Sequence, residues 1–196
     1  METADAARTS GLARPSPRQR LLDAAEELFY AHGIGNTGVD AVVRTADVAR
    51  KTLYHQFGGK DGLTVAYLRA RDERWTAHWG AAIEAREGAT DRLLAIFDAL
   101  ETWEPSRRRP RGCAFLDALV EVADPSHPVA EAVRDHWATM TARLTELAAA
   151  ADAPEPEATA ADLLVIYRGT LTAMMTEPVD VAVPRGRTLA RRCLVR

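Results

Sequence analysis

Apolar residues recur at helical spacing along most of this chain, and the strict alternation typical of strands is nearly absent. The first such segment runs from Arg18 to His32 and is followed by Gly33, a residue that often ends a helix. Its apolar face comprises Leu21, Leu22, Ala25, Leu28 and Phe29. Later segments repeat this spacing, so the sequence predicts an all-α fold.

A second, shorter helix is predicted over residues 37–46. Thr37 is expected to cap this helix, and Asp40 stands three positions later as a weaker form of the capping-box partner. The apolar residues at helical spacing are Val39, Val42, Val43 and Ala46. This pattern gives the second helix one buried stripe.

A third helix is expected from about Val48 to Phe57, ending at Gly58-Gly59. Its apolar face can pack on the first helix. The other positions carry hydrogen-bond donors and no carboxylate: Arg50, Lys51, Thr52, Tyr54, His55 and Gln56. An exposed face without negative charge suits phosphate binding. Three helices with tight connections are typical of a helix-turn-helix DNA-binding unit.

The two lysines support this interpretation. The chain has 25 basic side chains, and only Lys51 and Lys60 among them are lysine. Lys60 lies near the start of the next predicted helix, where the helix dipole disfavours a cation by about 0.3–1 kcal/mol. A lysine at such a position is explained if an external anion, such as a DNA phosphate, lies beside it.

The stretch from Thr37 to Leu63 resembles the DNA-binding region of the TetR (tetracycline-repressor) family of bacterial transcriptional regulators. Two departures from the family pattern are Asp47, where glycine is usual, and Arg50-Lys51, which replaces a common lysine-glycine pair. Aspartate tolerates a left-handed turn better than most residues, so we expect the turn to be kept. The positions that carry the resemblance are Thr37, Ala46, Val48, Thr52, Leu53, Tyr54, Phe57 and Lys60.

The resemblance implies a division of labour in DNA binding. Phosphate contacts are expected mainly from Thr37, Tyr54, Gln56 and Lys60. Contacts to base edges or phosphates are expected from Arg50, Lys51, Thr52 and His55. The preceding segment adds Arg14, Arg18 and Arg20 as further candidates for the DNA backbone or minor groove.

The sequence and the resemblance together predict a domain organisation with about nine helices. A flexible N-terminal arm is expected over residues 1–17, a helix-turn-helix domain over 18–63, and a regulatory, ligand-binding and dimerisation domain over 64–196. A long helix after Lys60 joins the two domains. Residues 158–175 are apolar nearly all round. The resemblance therefore places a homodimer contact in the helices around residues 158–176 and 185–195.

The regulatory part is rich in aromatic residues and methionine, which predicts a cavity for a small apolar effector. The alternative for most of these side chains is an ordinary core position. The candidate ligand residues are Trp75, Trp79, Phe97, Trp103, Phe115, Trp137, Met140, Tyr167 and Met174. His78 and His136 are candidate polar anchors. The whole pattern favours a homodimeric repressor that a small molecule releases from an inverted-repeat operator.

Charge and cysteine content limit the alternatives. A net charge of −3 excludes a generally basic nucleic-acid-binding protein, so DNA binding must be local. Cys113 and Cys193 are too few for a disulfide framework, which suggests a cytoplasmic protein. No apolar run approaches the roughly 20 residues needed to span a bilayer, so no membrane partner is expected. A redox-sensing regulator that uses either thiol remains an alternative, and an enzyme that pairs Cys113 with His127 or His136 is a remote one. No metal-binding or cofactor-binding motif is found.

Overall fold

The computed structural model describes residues 14–103, 112–122 and 124–194, and within these ranges the chain forms helices and turns without a strand. The nine helices of this part are α1 (Pro17–His32), α2 (Val39–Thr45), α3 (Arg50–Phe57), α4 (Lys60–Glu84), α5 (Ala89–Thr102), α6 (Ala114–Glu121), α7 (Pro128–Ala150), α8 (Pro156–Ala173) and α9 (Val179–Cys193). The predicted all-α class is confirmed. Of the predicted arm, residues 1–13 lie outside the described ranges.

Helices α1, α2 and α3 pack around a small apolar core. The Ser16 hydroxyl caps α1 by accepting from the backbone N–H of Gln19 at 3.1 Å, and Pro17 opens the helix without an unused N–H. Each helix contributes side chains that are at most 3% exposed: Leu21, Ala25, Phe29, Val42 and Leu53. The apolar spacing therefore predicted the inner faces of these helices correctly.

The capping role predicted for Thr37 is wrong. The N-cap of α2 is Gly38, which makes no side-chain hydrogen bond. Thr37 is 3% exposed, and its hydroxyl donates to the carbonyl oxygens of Gly33 at 2.7 Å and Leu28 at 3.3 Å. Its side chain therefore stabilises the α1–α2 loop against the end of α1.

The turn between α2 and α3 depends on Asp47, whose φ of 51° is left-handed as predicted. Arg20 of α1 donates to the carbonyl oxygens of Ala46 at 2.9 Å and Asp47 at 2.7 Å. These bonds satisfy turn carbonyls that no helix can pair. Because of this turn, α3 begins at Arg50, two residues later than the spacing predicted.

Helix α4 begins immediately after the glycine pair Gly58-Gly59, whose φ values are 74° and 147°. A third glycine, Gly62, allows the first turn of α4 to lie against the end of α3, since a Cβ there would be 1.8 Å from the Phe57 carbonyl oxygen. The helix has 25 residues and is about 37 Å long at 1.5 Å per residue. Lys60 is its first residue, as expected.

The regulatory part is a bundle in which α4 packs on α5 and α7, α8 packs on α7 and α9, and α6 packs on α7. Its core is almost completely closed to solvent. The largest side chains there are less than 2% exposed: Trp79, Leu68, Leu93, Leu94, Phe97, Ile96, Leu100, Leu144 and Leu163. This bundle holds the far half of α4 in place, while the near half contacts α1 and α3.

The contact at Gly62 leads to a stability prediction. Gly62→Ala places a methyl group against the Phe57 carbonyl and is expected to lower the free energy of unfolding by about 1–3 kcal/mol. Urea unfolding followed by circular dichroism measures this change. Gly80→Ala is the matched control in the same helix, where the nearest atom is the movable Arg143 Nη2 at 3.3 Å.

The control is expected to leave stability unchanged or to raise it by up to about 1 kcal/mol, because alanine favours the helix over glycine. Equal free energies of unfolding for the two variants would show that the approach of α3 to α4 is not constrained at Gly62.

Candidate DNA-binding face and regulatory cavity

The outer face of α3 presents most of the predicted DNA contacts to solvent. Leu53 is completely buried and orients the helix, so the residues around it point outwards. The exposed candidates are Arg50, Lys51, Tyr54, His55 and Gln56, and the half-buried ones are Thr52 and Lys60. Thr37 is absent from this face because its side chain is buried and its hydroxyl is bonded within the protein.

Arg50 is held in position by two neighbours. Its guanidinium donates to Asp40 Oδ1 at 3.0 Å and to the Tyr54 hydroxyl at 3.5 Å. The hydrogen bond with Tyr54, followed by the charge of Asp40, raises the pKa of Arg50 above its usual value. Helix α3 itself carries no carboxylate, but Asp40 of α2 lies beside Arg50, the first residue of α3. The face is therefore less uniformly positive than the sequence of α3 suggested.

Lys60 lies beside the α1–α2 loop. Its Nζ donates to the carbonyl oxygen of Gly35 at 3.2 Å. This bond gives the ammonium group a partner at the start of α4, where the helix dipole disfavours a cation. The N–H of the same glycine donates to Glu121 Oε2 at 2.5 Å. Glu121 is the last residue of α6, so a regulatory helix contacts the loop that carries the Lys60 bond.

The arginines that precede α3 have roles that the sequence did not reveal. Arg20 is half-buried and donates to the turn carbonyls described above. The Arg18 guanidinium lies over the Phe57 ring at 4.8 Å, and Arg14 forms an ion pair with Asp47. These contacts stabilise the helix-turn-helix unit, and spacing alone could not distinguish them from DNA contacts.

A small cavity of about 30 Å³ lies between α4, α5, α6, α7 and α8. Its lining residues are Arg71, Trp75, Leu100, Trp103, Gly112, Cys113, Ala114, Phe115, His136, Tyr167 and Leu171. Four of them were predicted as ligand residues: Trp75, Trp103, Phe115 and Tyr167. A space of this volume holds one or two water molecules, so any larger ligand must enlarge it.

The other five predicted ligand residues are buried but do not line this cavity: Trp79, Phe97, Trp137, Met140 and Met174. Met140 supports the cavity from behind, because its sulfur accepts from Trp75 Nε1 at 3.3 Å. Helical spacing shows which side chains face the core but cannot show where the core leaves a gap, so it did not separate these residues from those that line this cavity.

Arg71 is the lining residue that sequence reasoning missed. It is 6% exposed, and its Nη1 donates to Glu26 Oε1 of α1 at 2.9 Å. Its guanidinium also lies over the rings of Tyr30 at 5.4 Å and Trp103 at 5.9 Å. A charged residue four positions from both Tyr67 and Trp75 shares their buried stripe, and that spacing was a usable indication.

His136 provides a second polar group in the lining. It is 4% exposed, and its Nδ1 lies 2.6 Å from Asp72 Oδ1 on α4. Its ring stacks on Phe115 with centroids 3.6 Å apart and planes inclined by 6°. The predicted alternative anchor, His78, instead bonds to the Ala99 carbonyl oxygen at 3.0 Å and does not line the cavity.

The thiol of Cys113 lies in the cavity wall, and burial raises its pKa above the usual value. A reactive sensor or nucleophile requires the thiolate, which a raised pKa disfavours at neutral pH. Cys193 is half-buried near the end of α9. The surroundings of Cys113 therefore argue against activation, both for the redox alternative and for the enzyme alternative.

Helices α8 and α9 leave apolar side chains on the surface of the single chain. Their inner sides are buried through residues such as Leu163 and Tyr167. Four large apolar side chains of α8, α9 and the turn between them remain exposed: Val165 at 68%, Met175 at 52%, Val181 at 42% and Leu189 at 46%. Exposed apolar groups in neighbouring helices are typical of a protein–protein contact.

The described part of the chain offers neither a metal-ion cluster nor a membrane-spanning helix. Residues 14–103, 112–122 and 124–194 contain no cluster of three or more histidine, cysteine, aspartate or glutamate side chains suited to a metal ion. In the same ranges, no helix combines the length and apolarity needed to cross a membrane.

Two family models match separate parts of the chain. Residues 21–67 match the bacterial regulatory proteins of the tetR family, and residues 89–182 match a tetracyclin-repressor-like C-terminal domain. The transcriptional repressor ComR of Escherichia coli is 28% identical over 122 residues, which span 62% of this chain and 58% of ComR. The E. coli regulator YjdC is 23% identical over 180 residues, covering 90% of this chain and 93% of YjdC.

A solved structure extends the likeness to nearly the whole chain. The crystal structure of a TetR-family transcriptional regulator from Streptomyces coelicolor superposes with a TM-score of 0.83 and 32% sequence identity. The match covers 92% of this chain and 96% of that protein. This chain therefore belongs to the TetR family of bacterial regulatory proteins, whose members are DNA-binding transcriptional regulators.

Proposed function

We propose that this protein is a homodimeric transcriptional repressor that binds an inverted-repeat operator through α3 and is released by a small molecule. The observation that carries the proposal is the outer face of α3, where a buried Leu53 turns five polar or basic side chains towards solvent. Since α3 itself carries no carboxylate, this face can approach the DNA backbone without like-charge repulsion from its own residues.

We assign the contacts by exposure and chemistry. Arg50 and Lys51, at the start of α3, together with Thr52 and His55, meet base edges or phosphates in the major groove. Asp40 and Tyr54 orient the Arg50 fork, which suits bidentate recognition of guanine. Phosphate contacts come from Tyr54, Gln56 and Lys60. Thr37 acts indirectly in this scheme, through the loop that its hydroxyl stabilises.

The domain division forms part of the proposal. Residues 18–63 form the DNA-binding domain and residues 64–196 the regulatory and dimerisation domain, with α4 crossing between them. The matched family segments, residues 21–67 and 89–182, support two domains joined through α4, and the first segment ends four residues beyond the proposed boundary.

Dimerisation uses the exposed faces of α8 and α9. The exposed side chains of Val165, Val181 and Leu189 give these helices an apolar surface to bury against a second copy. A two-fold arrangement presents two α3 helices to one side of the DNA. The half-sites of the operator are then inverted repeats whose centres lie at least one helical turn, about 34–36 Å, apart.

The effector acts through contacts between the regulatory helices and the DNA-binding helices. Arg71, which lies on α4 in the cavity wall, is bonded to Glu26 of α1. Glu121, at the end of α6, is bonded to Gly35 in the α1–α2 loop. A ligand that enlarges the cavity displaces α4 or α6, and the two α3 helices of the dimer then change their separation. Linkage requires that this ligand bind the DNA complex more weakly than the free dimer, by the same factor by which the ligand weakens operator binding.

A redox-sensing regulator is supported less well. The cavity position of Cys113 would give an oxidised thiol a direct effect on the cavity wall. However, burial raises the pKa of that thiol, so oxidation at neutral pH is disfavoured. A small-molecule effector is the better match to aromatic walls that surround a preformed gap.

The first functional prediction concerns Lys60. Lys60→Ala is expected to weaken binding to specific and random duplexes by similar factors, because a phosphate contact carries no base information. The slope of log affinity against log salt should fall by about 0.9 per subunit. Fluorescence anisotropy with an operator selected from random duplex DNA, measured over a salt series, gives both quantities.

Arg92→Ala is the matched charge control, because Arg92 is exposed on α5 and its Nε donates to the Arg86 carbonyl at 2.8 Å, just beyond the end of α4 opposite Lys60. The control should keep the wild-type salt slope. If the salt slope of Lys60→Ala equals that of the control, Lys60 makes no phosphate contact and its role is confined to the bond with Gly35.

The second functional prediction concerns assembly. Val165→Asp is expected to yield a monomer at micromolar concentration, because the dimer would bury an unpaired carboxylate at a cost of the order of 3–5 kcal/mol. Val120→Asp is the matched control, since Val120 is 87% exposed on α6, which is neither of the two helices of the proposed contact. Sedimentation velocity measures both states.

Of the two variants, only Val165→Asp should lose operator affinity, because only this variant loses the dimer. A wild-type protein that sediments as a monomer would contradict the homodimer directly. Dimerisation in the Val165→Asp variant would show that the contact lies elsewhere.

A further inference from the structure

The polar part of the cavity lining is positively charged. Among the lining residues, Arg71 supplies a guanidinium cation, while Cys113, His136 and Tyr167 supply hydrogen-bonding groups. Neither aspartate nor glutamate occurs in the lining of this described cavity. An anionic group that enters would therefore meet the Arg71 cation, while the carboxylates of Glu26 and Asp72 lie behind the lining and are already bonded to Arg71 and His136.

The charge around Arg71 is incompletely balanced by its ion pair. Glu26 accepts from Arg71 Nη1 through one oxygen, at 2.9 Å, and forms an ion pair with Arg74 through the other. Two guanidinium groups thus share one carboxylate. Arg71 is 6% exposed, so water screens its charge poorly, whereas Arg74 is 54% exposed at its side chain. A second anion beside Arg71 would be stabilised, and Glu26 would keep Arg74 as a partner.

The positive charge of Arg71 acts on two other residues of the lining, Tyr167 and Cys113. Burial raises the pKa of both Tyr167 and Cys113, and the positive charge of Arg71 acts in the opposite direction on each of them. Since burial dominates, both groups remain protonated at neutral pH. The wall therefore combines one cation with a neutral phenol and a neutral thiol, each able to donate a hydrogen bond.

The remainder of the lining suits an apolar body. The rings of Trp75 and Trp103 meet edge to face with centroids 5.4 Å apart, and Tyr167 lies 6.0 Å from Trp75. Leu100 and Leu171 complete this side of the cavity. A ligand with an apolar or aromatic body and an acidic end could match both halves of the lining.

We propose that the effector is a small organic carboxylate, whose acid group binds Arg71 in place of Glu26 and whose apolar body lies among Trp75, Trp103 and Tyr167. This inference rests on the proposed function and adds a negative charge to the apolar effector that the sequence predicted. Binding breaks a contact between α4 and α1, so the acid group itself weakens the hold of the regulatory helix on the DNA-binding unit.

The effect of removing the Glu26 charge on ligand affinity distinguishes this proposal from a purely structural ion pair between Arg71 and Glu26. If Arg71 only held α1 in place, removal of the Glu26 charge would not improve the binding of any ligand. If the ligand competes with Glu26, the isosteric Glu26→Gln variant should bind acids more tightly than the wild type. This variant keeps Arg71 intact, so the test does not depend on whether an Arg71 variant folds.

The test compares acids with their uncharged amides on the full-length protein. The probes are three matched pairs that differ in body: benzoate and benzamide, phenylacetate and phenylacetamide, hexanoate and hexanamide. Tetramethylammonium is the probe of opposite charge. Isothermal titration calorimetry measures affinity, and quenching of tryptophan fluorescence reports on Trp75 and Trp103.

At least one acid is expected to bind about 10- to 100-fold more tightly than its amide, the ratio expected for a hydrogen bond to a charged group. Glu26→Gln should tighten that acid severalfold and leave the amide unchanged. Arg71→Gln should remove the preference for the acid. Arg69→Gln is the matched control: Arg69 is exposed on the same helix and lies outside the lining, so the preference should persist.

The inference is overturned if no acid is preferred over its amide by either the wild type or Glu26→Gln, or if tetramethylammonium binds better than the acids. Acid binding that leaves operator affinity unchanged would overturn the role of Glu26 in release. Operator binding by the free protein is measured separately on the same preparations. Its absence would contradict the proposed function, while the acid and amide titrations would still decide the chemistry of the cavity.

Discussion

The structure depends on the buried stripe of α4, because this helix belongs to the cores of both parts of the molecule. At its start, Leu63 and Tyr67 are buried, and the Tyr67 ring meets Phe29 of α1 edge to face at 5.5 Å. Two turns later, Trp75 and Trp79 pack into the regulatory bundle. In the described residues, packing between the DNA-binding helices and the rest runs mainly through α4. A displacement of this helix cannot leave α1 and α3 unaffected.

Much of the fold followed from local patterns in the sequence. Helical spacing placed α1 to within one residue at its start, and the tolerance of aspartate for a left-handed conformation explained why Asp47 could replace the usual glycine. The details that failed depend on contacts between distant residues. Thr37 matched a capping pattern, but its hydroxyl bonds to α1 because the loop folds back over that helix. No local rule contains this information.

The candidate site was predictable to a smaller extent. Trp75 and Trp79 lie one turn apart on the same stripe, and both are at most 5% exposed, yet only Trp75 lines the cavity. The gap exists because of the way five helices meet, which residue type and spacing do not encode. Arg71 was missed for a related reason, since its charge suggested a solvated position. Its burial becomes possible once Glu26 of α1 and the rings of Tyr30 and Trp103 surround it.

Besides the apolar packing of α4 on α1 and α3, the described residues join the regulatory helices to the DNA-binding unit through polar contacts of moderate strength. Besides the ion pair of Arg71 with Glu26, they include the bond from Gly35 to Glu121 and the approach of His127 to Asp61 at 3.4 Å. Single hydrogen bonds contribute about 0.5–1.5 kcal/mol, and those to charged groups about 1.5–3 kcal/mol. Typical coupling energies between two sites are about 1–3 kcal/mol. Loss of one such contact is therefore enough to shift operator affinity, whereas a broad apolar interface would need a far larger change in the cavity.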